Sequence, residues 1–160
     1  MLKVKLKAER ENFQQPIKGS EEAACYDCYA SKIEFKEDGL VICYLGFSQE
    51  IPKGWKAIIY PRSNVRNHGW VMCNSIGTVD SDFRNEIQAS FRPLMREEWV
   101  QIKGVENTNE LKTVQPKFPY KEGERVCQIS WEKVNEVEFE LSETLTETER
   151  KGGHGSSGLR

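Results

Sequence analysis

No stretch of this chain keeps its apolar residues on a helical period for more than a turn or two. What recurs instead is short alternation closed by Gly or Pro. Leu2, Val4 and Leu6 alternate with Lys3, Lys5 and Lys7, and Val137, Phe139 and Leu141 alternate with Glu136, Glu138 and Glu140. Alternation of this kind turns one face of a strand to a core and the other to water. The runs 40–45, 55–60, 70–73, 86–91, 99–102 and 126–129 read as further strands. Asp38-Gly39, Pro52-Lys53-Gly54, His68-Gly69 and Gly123-Glu124 punctuate them as turns. Many short strands between such turns predict an all-β sandwich or barrel.

Bulk properties exclude several function classes. A chain of 160 residues supports one domain with a real core. The net charge is -2 and the pI about 5.8, so no basic footprint points to a nucleic-acid partner. No apolar run approaches the length of a membrane span. The Lys-rich alternating start resembles neither a signal nor a transit peptide, so a cytoplasmic location is expected. Five cysteines without a secretory signal predict free thiols. Cys25-x-x-Cys28 invites a zinc or redox reading, but a tetrahedral site needs a second ligand pair. His68 and His154 are not spaced to supply it, which leaves small buried residues as the preferred reading.

Four stretches carry chemistry. In Gly77-Thr78-Val79-Asp80-Ser81-Asp82-Phe83-Arg84-Asn85-Glu86-Ile87, two carboxylates two apart would share a strand face, with a ring, an arginine and an Asn following. Val79, Phe83 and Ile87 supply apolar anchors. Alone, an Asp-x-Asp is as well explained by a polar hairpin. Asp27 is a lone acid among small residues and tyrosines, either satisfied by backbone donors or serving a cation. Arg62-Ser63, after a strand, offers a forked cation and a hydroxyl to a phosphate, though Ser and Asn also suit an ordinary capped turn. Beyond Leu141 the composition turns to Thr, Glu, Ser and Gly, which cannot fold alone. That tail ends in Arg150-Lys151-Gly152-Gly153-His154-Gly155-Ser156-Ser157-Gly158. Its glycines let backbone N–H groups approach anionic oxygens. We read it as a phosphate-binding arm that orders over ligand, with an expression tag as the competing reading. Residues 104–121 are polar, carry Pro116 and Pro119 and show no period. They form a long loop or an insertion with small strands of its own.

Taken in order, these segments resemble the five motifs of the trimeric dUTPase family. Ala24-Cys25-Tyr26-Asp27-Cys28 resembles A-G-x-D-L, Pro61-Arg62-Ser63-Asn64 resembles R-S-G, and Gly77 to Glu86 resembles G-x-I-D-x-D-Y-R-G. Gly123 to Gln128 resembles G-x-R-x-A-Q, and Gly152 to Gly158 resembles G-G-F-G-S-T-G. The resemblance implies a homotrimer of distorted, jelly-roll-like β-barrels with active sites between subunits. It also implies a barrel over residues 1–141, an insertion around 92–122, and a flexible arm over 142–160 closing over a neighbour. The implied reaction is hydrolysis of dUTP to dUMP and pyrophosphate with magnesium on the triphosphate, which keeps uracil out of DNA and supplies dUMP.

Carried over by motif, Asp80 is the implied general base and Asp27 the magnesium holder, through a coordinated water. Arg62, Ser63, Asn64 and Gln128 are the implied phosphate ligands, with Arg150, Ser156 and Ser157 from the arm. Asn74 would bond uracil, Phe83 would lie under deoxyribose, and His154 would stack on the base. Thr78 and Gln88 are further candidates for sugar or backbone contacts.

The chain departs from the family pattern at Cys25, Asn64 and Asn85, which stand where glycine is usual, and at Cys28 and Phe83 for Leu and Tyr. Arg150 lies one residue nearer the glycine pair, and the third and fourth motifs are unusually far apart. Insertions there occur in some phage members, which would place a phage-encoded chain in a host cytoplasm. A dCTP deaminase shares the fold but needs a Glu where Gln88 and Ser90 stand. A nucleotide-gated regulatory protein, binding a partner through 104–121, is the other alternative.

Overall fold

The computed structural model describes residues 1–101 and 109–149. Among the described residues the chain forms thirteen strands and one short 3-10 helix (Ser63–His68). The all-β expectation is met.

A five-stranded antiparallel sheet carries most of the chemistry. In spatial order it holds β2 (Ile17–Lys18), β3 (Tyr26–Tyr29), β13 (Arg125–Lys133), β7 (Trp55–Pro61) and β9 (Gly77–Val79). Its neighbour holds β4 (Lys32–Phe35), β5 (Val41–Tyr44), β10 (Gln88–Pro93) and β8 (Trp70–Met72). β1 (Lys5–Ala8) pairs with β6 (Phe47–Glu50), and β11 (Arg96–Gln101) with β12 (Asn109–Val114). The sheets bury a core that includes Cys28, Val41, Cys43, Leu45, Phe47, Trp70, Ile87, Phe91, Val126, Cys127 and Ile129. β5 shows the alternation a half-buried strand needs, with Val41 and Cys43 inward and Ile42 and Tyr44 partly out.

Three expectations change in the structure. The strand expected over 86–91 starts two residues later. Arg10 holds Glu86 through two hydrogen bonds at 2.6 and 2.7 Å, and the Gly46 N–H donates to the same carboxylate at 3.0 Å. Ile87 is 1% exposed and its backbone bridges Phe47 and Leu45. Second, residues 137–141 form no strand. Val137, Phe139 and Leu141 are exposed, and the last described strand ends at Lys133. Third, the stretch 104–121 is not polar throughout. β12 makes a hairpin with β11, and the chain then returns to the core, where Phe118 packs on Trp70 (ring centroids 4.8 Å) and on Tyr120 (5.5 Å). The Trp70 indole N–H anchors that return on the Pro116 and Lys117 carbonyls. Buried ring area outweighs the polar average of the segment.

Gly46 marks the tightest backbone approach. Its φ is +79, and a Cβ there would lie 2.1 Å from the Ser31 hydroxyl oxygen, so only glycine fits.

Candidate active site

The phosphate-type residues assemble on the five-stranded sheet. β3 and β13 are in register so that Asp27 stands opposite Gln128. Asp27 is 4% exposed, so its charge needs partners. Its Oδ1 accepts a hydrogen bond from Gln128 Nε2 at 3.1 Å and lies 3.4 Å from Arg62 Nε. Its Oδ2 accepts from Arg125 Nη1 at 3.0 Å. Side-chain cations and an amide satisfy this acid, rather than the backbone donors the sequence left open. Arg62 Nη1 also donates to the Arg125 carbonyl at 3.2 Å. Hydrogen bonding to Asp27, and then its charge, raises the Arg125 pKa above the ordinary value. Two partly exposed guanidiniums against one buried carboxylate leave positive charge in excess, in forks suited to phosphate oxygens.

Arg62 owes its place to Pro61, which cannot donate to the ladder and ends β7. Arg62 is extended (φ -76, ψ 147) and opens the 3-10 helix. The first bond of that turn runs from Val65 N–H to the Arg62 carbonyl. The amides of Ser63 and Asn64 therefore precede it. Ser63 is exposed. The Tyr120 hydroxyl donates to Asn64 Oδ1 at 2.9 Å.

A second group surrounds β9. Between β8 and β9 the chain turns at Asn74-Ser75, where Ser75 takes a left-handed φ of 55. Its N–H bonds the Met72 carbonyl. At Gly77 a Cβ would meet Asn74 Nδ2 at 3.1 Å and Ile59 Cβ at 3.3 Å, so its absence lets the Asn74 amide sit close against β9. Thr78 is exposed and Val79 buried, as alternation demands. Asp80 follows, exposed, and its carbonyl accepts from the Phe83 N–H at 3.2 Å. Phe83 is 39% exposed. Of the three apolar residues read as anchors, Val79 and Ile87 are buried and Phe83 presents its ring outward. Gln88 is exposed at the start of β10. Asp80 borders a hollow of about 370 Å³ with Trp55, Lys56, Val134 and Glu136. A larger hollow of about 600 Å³, lined by Phe35, His68, Phe118 and Tyr120 among others, holds none of the phosphate, sugar or base candidates read from the sequence.

The two groups do not meet within one chain. Val79 pairs with Ala57, which puts Asp80 beside Lys56, whereas Arg62 follows the far end of β7. From 56 to 62 is six steps along an extended strand, roughly 20 Å. Arg150, His154, Ser156 and Ser157 lie outside the described residues.

Sequence reasoning missed Arg125 and Tyr120 as members of the phosphate group. Arg125 was legible, since it is the Arg of the Gly-x-Arg motif. Tyr120 carried no local signal.

Among the described residues no three His, Cys, Asp or Glu side chains gather to hold an ion. Cys28, Cys43 and Cys127 are buried, and burial pushes the Cys25 and Cys43 thiols up. Hydrogen bonding to Cys28, then burial, does the same for Cys127. Asp27 keeps some acceptor capacity: its Oδ2, bonded by Arg125 alone, has a lone pair left for a water of a hydrated magnesium.

Known proteins resemble this chain along its whole length. A family model described as dUTPase matches residues 11–103. Deoxyuridine 5'-triphosphate nucleotidohydrolase of Fusobacterium nucleatum is 31% identical over 164 residues, covering 99% of both chains. The enzyme of the same name from Finegoldia magna is 33% identical over 115 residues, covering 71% of this chain and 67% of its own. Among solved structures, the Staphylococcus bacteriophage 80alpha dUTPase with dUPNHPP superposes with a TM-score of 0.75 over 98% of this chain and 99% of its own, at 19% identity. With more than half of its length matched by the family model and a relative similar from end to end, the chain belongs to the dUTPase family.

Proposed function

We propose that the protein is a dUTP diphosphatase that splits dUTP into dUMP and pyrophosphate. The observation that carries this reading is an exposed Asp80 at the end of β9, the strand that the Asn74 turn leads into, together with the Asp27–Arg62–Arg125–Gln128 anion site, in a chain whose full-length relatives bear that activity in their names.

The reaction needs both groups at once. A general base must reach the attacking water, directly or through one hydrogen bond, while the phosphates are held nearby. Roughly 20 Å along β7 is too far for one chain to do both. A homotrimer of jelly-roll-like barrels resolves this, with Asp80 of one subunit facing Arg62 of another. The unpaired 137–141 segment supports the same assembly, since its exposed Val137, Phe139 and Leu141 need a surface that this chain does not give them. Residues 142–160 then form the arm over a neighbour's site.

In that site Asp80 takes a proton from water as the water oxygen attacks the α-phosphorus. The bond to the α–β bridging oxygen breaks, and pyrophosphate leaves with that oxygen. Arg62, Ser63, Gln128 and the Asn64 amide hold phosphates, with Arg150, Ser156 and Ser157 covering the outer ones. Magnesium, when bound, neutralises triphosphate charge, with Asp27 holding its hydration shell. Asn74 reads uracil, Phe83 packs under deoxyribose with no room for a 2′-hydroxyl, and His154 stacks on the base. Thr78 and Gln88 border that pocket. A cytoplasmic setting follows from the substrate.

A second role has a specific observation behind it. β11 and β12 pair only with each other among the described strands, and Leu94, Met95 and Leu111 are exposed. Such a projection suits a protein partner. Deamination is disfavoured because Gln88 and Ser90 provide no carboxylate.

The test is pyrophosphate release from dUTP, dCTP, dTTP and UTP with magnesium, in wild type and Asp80→Asn. Turnover of dUTP alone is expected, falling in the variant by about 10²–10⁴-fold. Ammonia from dCTP, or binding of dUTP without turnover, would overturn the reading.

A further inference from the structure

We infer that Tyr120 is a positioning residue for the phosphate turn, its hydroxyl fixing the Asn64 side chain and thereby the 62–64 backbone. The inference rests on the function proposed above and deepens it.

Where the family motif has glycine, this chain has Asn64, the residue whose amide precedes the first bond of the 3-10 turn. A glycine there has no side chain to place. An asparagine has one, and its side chain competes locally for backbone groups unless something else engages it. Tyr120 engages it, with 2.9 Å from the hydroxyl oxygen to Asn64 Oδ1. The tyrosine is a rigid post. It is 6% exposed, and its ring lies 5.5 Å from Phe118 and 5.9 Å from Phe91 between centroids. Burial keeps its proton on, so it donates throughout the working pH range.

The contact also joins two parts of the site. Tyr120 leads into the turn at Gly123, which is tied to β3 by the Gly123 N–H on the Ala30 carbonyl at 2.7 Å and the Ala30 N–H on the Glu124 carbonyl at 3.0 Å. Beyond that turn lies Arg125, on Asp27. The phosphate turn is therefore held from two sides, Arg62 by Asp27 and Asn64 by Tyr120. The second hold is specific to a chain that carries both Asn64 and Tyr120.

The experiment compares wild type, Tyr120→Phe, Asn64→Gly and the double variant in dUTP turnover, with pyrophosphate and deoxyuridine as competing inhibitors and melting temperature alongside. Tyr120→Phe should raise KM for dUTP about fivefold, the worth of one neutral hydrogen bond. It should weaken pyrophosphate inhibition by the same factor and leave kcat and deoxyuridine inhibition little changed. The double variant should match Asn64→Gly alone, because no side chain remains to hold. An unchanged KM, equal weakening of pyrophosphate and deoxyuridine, or losses that multiply would overturn the inference. If Tyr120→Phe does not fold, Asn64→Ala removes only the acceptor, and wild-type pyrophosphate inhibition in that variant overturns it. A wild type without dUTP turnover sinks the functional reading instead. Calorimetric binding of pyrophosphate to wild type and Tyr120→Phe then decides the inference alone, with equal affinities overturning it.

Discussion

Asp27 is a carboxylate at 4% exposure that persists because three donors converge on it. Removing any one partner leaves a buried anion short of its hydrogen bonds, which is costlier than the contact itself is worth. Tyr120 is the opposite case, a buried group kept neutral. Burial, opposed by nearby Arg62, pushes its pKa from 10.0 to about 12. The unfolded chain loses this proton near pH 10 and the folded chain only near 12. Between those values the unfolded state binds fewer protons, so stability falls as pH rises through the window, and Tyr120 adds no slope below it. Urea midpoints from neutral pH to about 12 should decline more steeply in wild type than in Tyr120→Phe. Parallel curves would contradict the assignment.

At the scale of elements, the β11–β12 hairpin and the segment after it behave differently although they are continuous in sequence. The hairpin pairs only with itself among the described strands. Residues 116–120 are part of the core through Phe118, Tyr120 and the carbonyls that bond Trp70. Replacing 96–114 with a short Gly/Ser linker should therefore leave dUTP turnover intact and shift the melting temperature by only a few degrees, the response to about 1 kcal/mol or less. Phe118→Ala, by contrast, should destabilise by about 3–5 kcal/mol in denaturant titration. A hairpin deletion that unfolded the protein would show that these strands support the core after all.

For the whole molecule, the decisive geometry is the length of β7. Asp80 stands at one end and Arg62 at the other, so the proposed mechanism draws each site from two copies. Asp80→Asn and Arg62→Ala chains should each be inactive alone. Co-expressed, they should form mixed trimers with restored turnover, because some sites draw an intact Asp80 from one parent and an intact Arg62 from the other. Sizing by light scattering should give three times 18.5 kDa. Mixed oligomers without activity would place both residues in a single-chain site and refute the trimeric arrangement.

Much of this was written locally. Strand positions follow from alternation and turn residues, and the Asp27, Arg62, Asp80 and Gln128 motifs are each contiguous, so their chemistry could be read without coordinates. Short-range rules sufficed because side-chain direction on a strand is set by the neighbouring residue. Three matters depended on contacts between residues distant in sequence. Asp27 is satisfied by Arg125, 98 residues away, and Asn64 by Tyr120, 56 away. Residues 137–141 alternate like a strand yet pair with no described strand, because alternation fixes the two faces of a segment and not its partner. Local sequence sets which way a side chain points, and only tertiary packing decides what stands there to meet it.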